Sequence, residues 1–180
     1  RVNQYETESI KQQFINSGYE VVDFDKIADV YVVNTCTVTS VADKKNRNIL
    51  RRPKKINSNS IVVATGCYAQ TNPKDLEKIQ DVDIIVGQSD KNRIVKLVNQ
   101  FNNYEDKKRA FVGNVFKYEN YAELGFAPLR ELDKAFVKIQ DGCDRFCSFC
   151  KIPFARGKKR SRNLQSILKE CTMLVEEGYK

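Results

Sequence analysis

The sequence predicts an α/β protein, a doubly wound parallel sheet followed by one further β-α unit. Short apolar runs recur along the chain with amphipathic stretches between them. Those runs are apolar at successive positions, as strands buried on both faces require. A polar and aromatic stretch with neither helical nor strand period then separates the first 101 residues from the rest.

Taken in order, a helix is predicted over Thr7 to Asn16, followed by a strand in YEVVDF, Tyr19 to Phe24. A second strand is DVYVVNTC, Asp29 to Cys36, with a helix over Val41 to Leu50 after it. SIVVATGC, Ser60 to Cys67, and VDIIVG, Val82 to Gly87, are the next strands, with helices over Pro73 to Ile79 and Lys91 to Gln100. Residues 1–101 thus read as one α/β domain and residues 102–132 as a linker. Residues 133–180 open a second unit with the strand-like AFVKIQ, Ala135 to Gln140. Its helix runs from Leu164 to Glu177, with apolar residues at Leu164, Ile167, Leu168, Cys171, Leu174 and Val175. That 3.6-residue spacing assigns Cys171 to a core stripe, and Gly178 stands where a C-terminal cap belongs.

The chain has 180 residues, 31 Lys and Arg against 23 Asp and Glu, a formal charge of +8 and no histidine. The cationic surplus favours polyanionic partners, because neutralising phosphates releases condensed counterions. Without histidine, this chain can form neither a Ser-His-Asp nor a Cys-His nucleophile pair, nor a zinc site with histidine ligands. No apolar run approaches the length of a membrane span and the first residues do not resemble a signal peptide, so a cytoplasmic location without membrane contact is expected. In that compartment six cysteines are metal ligands or buried apolar residues more readily than disulfides.

DGCDRFCSFC places Cys143, Cys147 and Cys150 at C-x3-C-x2-C on one short loop. A structural zinc site requires four ligands, and no histidine or fourth nearby cysteine supplies the last. Three thiolates can instead hold three irons of a 4Fe-4S cubane and leave the fourth iron open to the amino and carboxylate groups of S-adenosylmethionine. Electron transfer into the bound molecule then yields a 5'-deoxyadenosyl radical. Phe149, just before Cys150, occupies the aromatic position typical of radical S-adenosylmethionine enzymes, which this loop resembles; there the ring lies beside the adenine. The competing reading is a structural or disulfide-forming trio.

Cys36 and Cys67 each end a predicted strand, on the edge where open α/β folds place ligands. From pattern alone they are either buried apolar thiols or a pair facing a cavity. Four motifs in order then narrow the choice: VNQYET, VVNTCTVT, ATGCYAQ and FVKIQDGCDRFCSFCKIPFARG. Together they resemble the methylthiotransferase family of radical S-adenosylmethionine enzymes, across nearly the whole chain.

The resemblance implies two 4Fe-4S clusters, one held by Cys143, Cys147 and Cys150 at the start of a partial (β/α) barrel. Cys36 and Cys67 would be ligands of an auxiliary cluster, whose third cysteine is expected immediately before RVNQYE and so lies outside the chain. Further barrel strands and a small RNA-binding domain are expected after Lys180. The chain then looks like a fragment, inactive by itself. The family inserts a methylthio group into an unreactive C–H bond, using S-adenosylmethionine, an electron donor and a sulfur source that the sequence does not identify. VNQYET, KIQDGC and IPFARG look closest to the branch acting on threonylcarbamoyl-adenosine beside the tRNA anticodon. Other branches act on isopentenyl-adenosine of tRNA or an aspartate of a ribosomal protein, and a non-catalytic iron-sulfur module for RNA binding or electron transfer is a third class.

Arg156, Lys158, Lys159, Arg160 and Arg162 follow the cysteine loop. They read either as contacts to tRNA phosphates or as a solvated basic loop. Lys44, Lys45 and Arg47, with Arg51, Arg52, Lys54 and Lys55, form a second basic group, read chiefly as a solvated face.

Overall fold

The computed structural model describes residues 2–36, 40–101, 110–125 and 135–179. Helix α1, Val2–Asn16, leads through an irregular connection to β1, Val30–Thr35. Helices α2, Ser40–Leu50, and α3, Pro53–Ile56, precede β2, Ile61–Gly66. Next come α4, Cys67–Thr71, α5, Pro73–Glu77, and β3, Ile84–Val86. A 3-10 segment, Gln88–Arg93, runs into α6, Ile94–Asn99, and β4 is Ala110–Phe111. The four strands form one parallel sheet in the order β1-β2-β3-β4.

The two central strands show why the fold is doubly wound. Val62 and Ala64 of β2 and Ile85 of β3 face Leu50, Tyr68, Leu76 and Ile79, brought by α2, α4, α5 and the turn after it. Val63, Ile84 and Val86 point the other way, into Ile10 and Phe14 of α1 and Ile94, Leu97 and Val98 of α6. Because strand side chains alternate in direction, only a run apolar at every position can fill two cores at once. The predicted strands at 29–36, 60–67 and 82–87 and the four helices are therefore present, trimmed or extended at their ends; residues 91–100 divide into a 3-10 turn and α6.

Three predictions from pattern fail, the strand at Ala135 to Gln140 among them. Tyr19 to Phe24 is not a strand: it joins no ladder, and Val21 and Val22 stay exposed. Its anchors are aromatic, with Tyr19 edge-on to Phe14 and Phe24 edge-on to Tyr31. Cys171 is exposed and not in a core. It lies on α8, Leu164–Glu176, which buries Glu170 and Leu174 and leaves Leu164, Leu168 and Val175 exposed. The helix itself is as predicted: the Asn163 side chain caps it by accepting from the backbone N–H groups of Gln165 and Ser166, and Gly178 follows with φ 92°.

Of the stretch 102–132, residues 102–109 and 126–132 lie outside the described residues; between them β4 joins the sheet and Val115 is buried. Farther on, Ala135 to Ile139 make no ladder. Pairing begins at β5, Gln140–Asp141, antiparallel to β6, Arg160–Ser161, on either side of α7, Ile152–Arg156. Among the described residues no helix is long and apolar enough to cross a membrane.

Candidate functional site

Cys36 and Cys67 follow the carboxyl ends of β1 and β2. Thr35 pairs with Gly66, so the next residues, Cys36 and Cys67, stand at neighbouring positions along one edge of the sheet. Gly66 makes this approach possible. With φ 95°, it is in a region that side chains resist, and an added Cβ would come within 2.3 Å of the Thr35 carbonyl oxygen. Asn46 donates to the Cys36 carbonyl, the Thr35 hydroxyl accepts from Ala69 N–H at 3.2 Å, and the Gln88 amide donates to Cys67 Sγ at 3.2 Å. The first turn of α1 lies at the same edge: Asn34 Nδ2 donates to the Asn3 carbonyl at 2.9 Å and to the Thr7 hydroxyl at 3.1 Å.

Cys143, Cys147 and Cys150 lie on the loop between β5 and α7, Cys147 exposed and the other two half-buried, all as free thiols. The loop closes at its ends. Cys143 N–H donates to the Gly157 carbonyl at 3.1 Å, and Cys150 N–H to that of Cys147 at 2.9 Å. Gly142, φ 76°, and Gly157, φ 79°, permit this, since a Cβ on the first would sit 2.1 Å from the Lys158 carbonyl oxygen and one on the second 2.3 Å from that of Val115. Helix α7 then packs on α4, the helix that Cys67 begins.

Three free thiols on one accessible loop match in number and chemistry what an iron-sulfur cluster with one open iron takes from a protein. Their side chains are not gathered: among the described residues no group of three or more Cys, Asp or Glu is close enough together to hold a metal ion. Phe149, the aromatic of the loop, is 89% exposed.

Between the two cysteine regions lies a buried seam of charges that sequence reading missed. Glu6 of α1 is 1% exposed and meets Lys91, Lys138 at 2.7 Å and Arg156 at 2.7 Å. Asp141 takes Lys138 and Arg156, each at 2.8 Å, and Arg156 Nη2 also donates to Asn3 Oδ1 at 2.9 Å. Burial alone would raise the Glu6 pKa, but Lys91, Arg156 and Lys138 outweigh it and hold the carboxyl well below the usual carboxylate range. Asp141 behaves alike: burial opposes and Arg156 and Lys138 prevail, lowering its pKa. Burial lowers the pKa of Lys91, against the pull of Glu6, whereas for Arg156 the pull of Glu6 overcomes burial and raises it. The seam continues to α8. Tyr5 donates to Glu170 at 3.2 Å, Glu170 pairs with Arg162, and Arg162 Nε meets Glu123 at 3.0 Å. Burial, then the Glu170 charge, pushes the Tyr5 hydroxyl up to about 12.

The basic run is therefore split by structure. Arg156, Arg160 and Arg162, expected to meet RNA, are buried; Arg156 pairs with Glu6 and Asp141, Arg162 with Glu123 and Glu170, and Arg160 lies 4.0 Å from Asp141 and donates to the Arg156 carbonyl. A guanidinium so placed cannot also reach a phosphate without breaking the seam. Lys158 and Lys159 are exposed. The second basic group is largely solvated, as read, although Arg47 donates to the Tyr68 hydroxyl at 2.8 Å and Lys54 pairs with Asp83 at 2.9 Å. Glu6 and Asp141 sit inside VNQYET and QDGC, so their motifs were visible; their partners, up to 150 residues away, were not.

Comparison with known proteins gives a consistent result. Residues 1–87 match the model of the uncharacterized protein family UPF0004. The whole chain is similar to the threonylcarbamoyladenosine tRNA methylthiotransferase MtaB of Aquifex aeolicus, 42% identical and covering 44% of that protein. The protein of the same name from Bacillus subtilis is 44% identical over the whole chain, which covers 40% of it. The ribosomal protein uS12 methylthiotransferase RimO of Dictyoglomus thermophilum is 34% identical over 99% of the chain and 40% of its own length. The chain thus spans less than half the length of these curated relatives.

Proposed function

We propose that this chain, a member of the methylthiotransferase family, supplies the two cluster-bearing regions of a tRNA methylthiotransferase acting on threonylcarbamoyl-adenosine beside the anticodon. The observation that carries the reading is the similarity to relatives of that name at 42% and 44% identity over all 180 residues, through both cysteine regions. In this reading the N-terminal α/β domain, bounded at residues 1–101 from sequence, also takes in β4, and residues 133–180 open the radical S-adenosylmethionine domain.

Cys143, Cys147 and Cys150 would hold the cluster that binds S-adenosylmethionine, and Phe149 would lie beside the adenine. Cys36 and Cys67 contribute to the auxiliary cluster. When bound, these groups and an electron donor supply a carbon-centred radical; a sulfur source and a second S-adenosylmethionine supply the methylthio group. The chain's own work is positioning. The Gly142 and Gly157 closure fixes the ends of the loop, and α4 against α7 fixes its distance from the sheet edge. The Gln88 amide, donating to Cys67 Sγ at 3.2 Å, orients that side chain at the sheet edge. Lys158 and Lys159 are free to meet tRNA phosphates. The similarity to RimO supports a second reading, in which the same cysteines serve an aspartate of a ribosomal protein.

The test is anaerobic cluster reconstitution of the full-length parent, reading iron and sulfide per chain, 5'-deoxyadenosine release and methylthio-adenosine in tRNA. Cys147→Ala should abolish both products with loss of one cluster; Cys67→Ala should abolish the methylthio product and leave 5'-deoxyadenosine release. Wild-type enzyme that releases 5'-deoxyadenosine but modifies only ribosomal protein would replace the tRNA reading with the second one.

A further inference from the structure

Beside the cysteine loop stands an aromatic group that none of the roles above uses. Phe116, Phe146 and Phe154 come from a 3-10 turn at Val115–Lys117, the loop and α7. Phe116 and Phe146 are stacked at 6.2 Å with 18° between planes, and Phe154 meets both edge-on, at 6.3 and 5.9 Å. Clustered phenylalanines normally bury their rings, yet these remain 38%, 48% and 56% exposed. Their base is rigid: Pro153 and Ala155 are buried beside Phe154, and Gly157 packs directly on Val115 beside Phe116. Phe146 adopts φ 47°, the only positive φ outside glycine among the described residues, a conformation that carries strain and clusters at functional sites.

Around the rings the exposed charge is mostly positive. Lys117 follows Phe116, Arg145 precedes Phe146, and Lys151, Lys158 and Lys159 flank Phe154 on its two sides, all exposed. Of the nearby acids, Asp144 accepts from the Lys159 backbone at 2.9 Å. Exposed aromatic faces interleaved with cations are what single-stranded nucleic acid binds, since any base has a face to stack and its backbone is anionic. We propose that Phe116, Phe146 and Phe154 form a stacking platform for an unpaired base of the RNA substrate, with the surrounding lysines and Arg145 on its phosphates. This rests on the tRNA reading and adds to it the surface that receives an unstacked base of the anticodon loop.

The experiment measures binding of a labelled anticodon stem-loop RNA to the full-length, cluster-loaded protein across a salt series. Phe154→Leu should weaken binding roughly 5- to 150-fold, the range for one stacked base. Phe154→Tyr should restore it, and the salt slope should stay that of wild type, whereas Lys158→Ala should reduce the slope by about one. Phe116→Leu, outside the cysteine loop, should also weaken binding and serves if Phe154→Leu loses iron or thermal stability. Equal affinity of wild type and both leucine variants, or equal loss in the tyrosine and leucine variants, would overturn the platform and leave the tRNA function standing. Wild-type protein that binds no RNA would overturn both.

Discussion

The sheet interior and the charged seam hold the same molecule together by opposite means. Around β2 and β3 the two cores are built mainly of apolar side chains from the strands and the helices on either face. The seam gathers Glu6, Asp141, Lys91, Lys138 and Arg156 in a space nearly as dry. Apolar packing tolerates small changes in shape, because its strength is spread over many weak contacts. A buried charge has no such tolerance. It is held in place by a few partners and, once one is removed, the others remain out of water and uncompensated. The core sets the fold, and the seam sets how the cysteine loop sits against the sheet edge.

The largest expected effect breaks the seam. Glu6→Gln leaves Lys91 without its carboxylate and weakens the hold on Lys138 and Arg156, costing about 3–5 kcal/mol of stability. Denaturant unfolding of the chain would measure it, and a loss below about 1 kcal/mol would mean the seam is relaxed by water and not dry.

Acid sharpens the same contrast. Glu6 and Asp141 have pKa values lowered on folding, so their stabilisation is complete above the ordinary carboxylate values, near pH 4, and is lost as pH falls through the lower folded values. Unfolding followed against pH should show wild type losing stability below about pH 4 and Glu6→Gln losing less over the same interval. Parallel profiles would contradict the assignment. The core gives the smallest effect: Ile85→Val removes one buried methylene, costs about 0.5–1.5 kcal/mol and leaves the pH profile unchanged.

The same difference decides what could be read beforehand. Val62, Val63 and Ala64 announce a two-faced strand because the relevant period is local. The cysteine loop was legible for the same reason, three ligand-type residues within eight positions. Locality also misled. Tyr19 to Phe24 has the composition of a strand but joins no ladder, and the stripe of α8 has helical period but leaves Cys171 in solvent, since periodicity reports a helix and not what covers it. Arg156 read as surface because its carboxylate Glu6 arrives from the far end of the chain. Charges paired across such separations leave no mark on local pattern.

The closure between Gly142 and Gly157 carries a last consequence. Both ends of the cysteine loop are pinned by backbone approaches that admit no Cβ, one against Lys158 and the other against Val115. The number of residues between them is thereby constrained along with their identity. An inserted residue could not be absorbed at either hinge and would bulge outward where Cys147 and Phe149 face solvent, displacing Cys147 itself. The loop should accept many changes of side chain and very few of length.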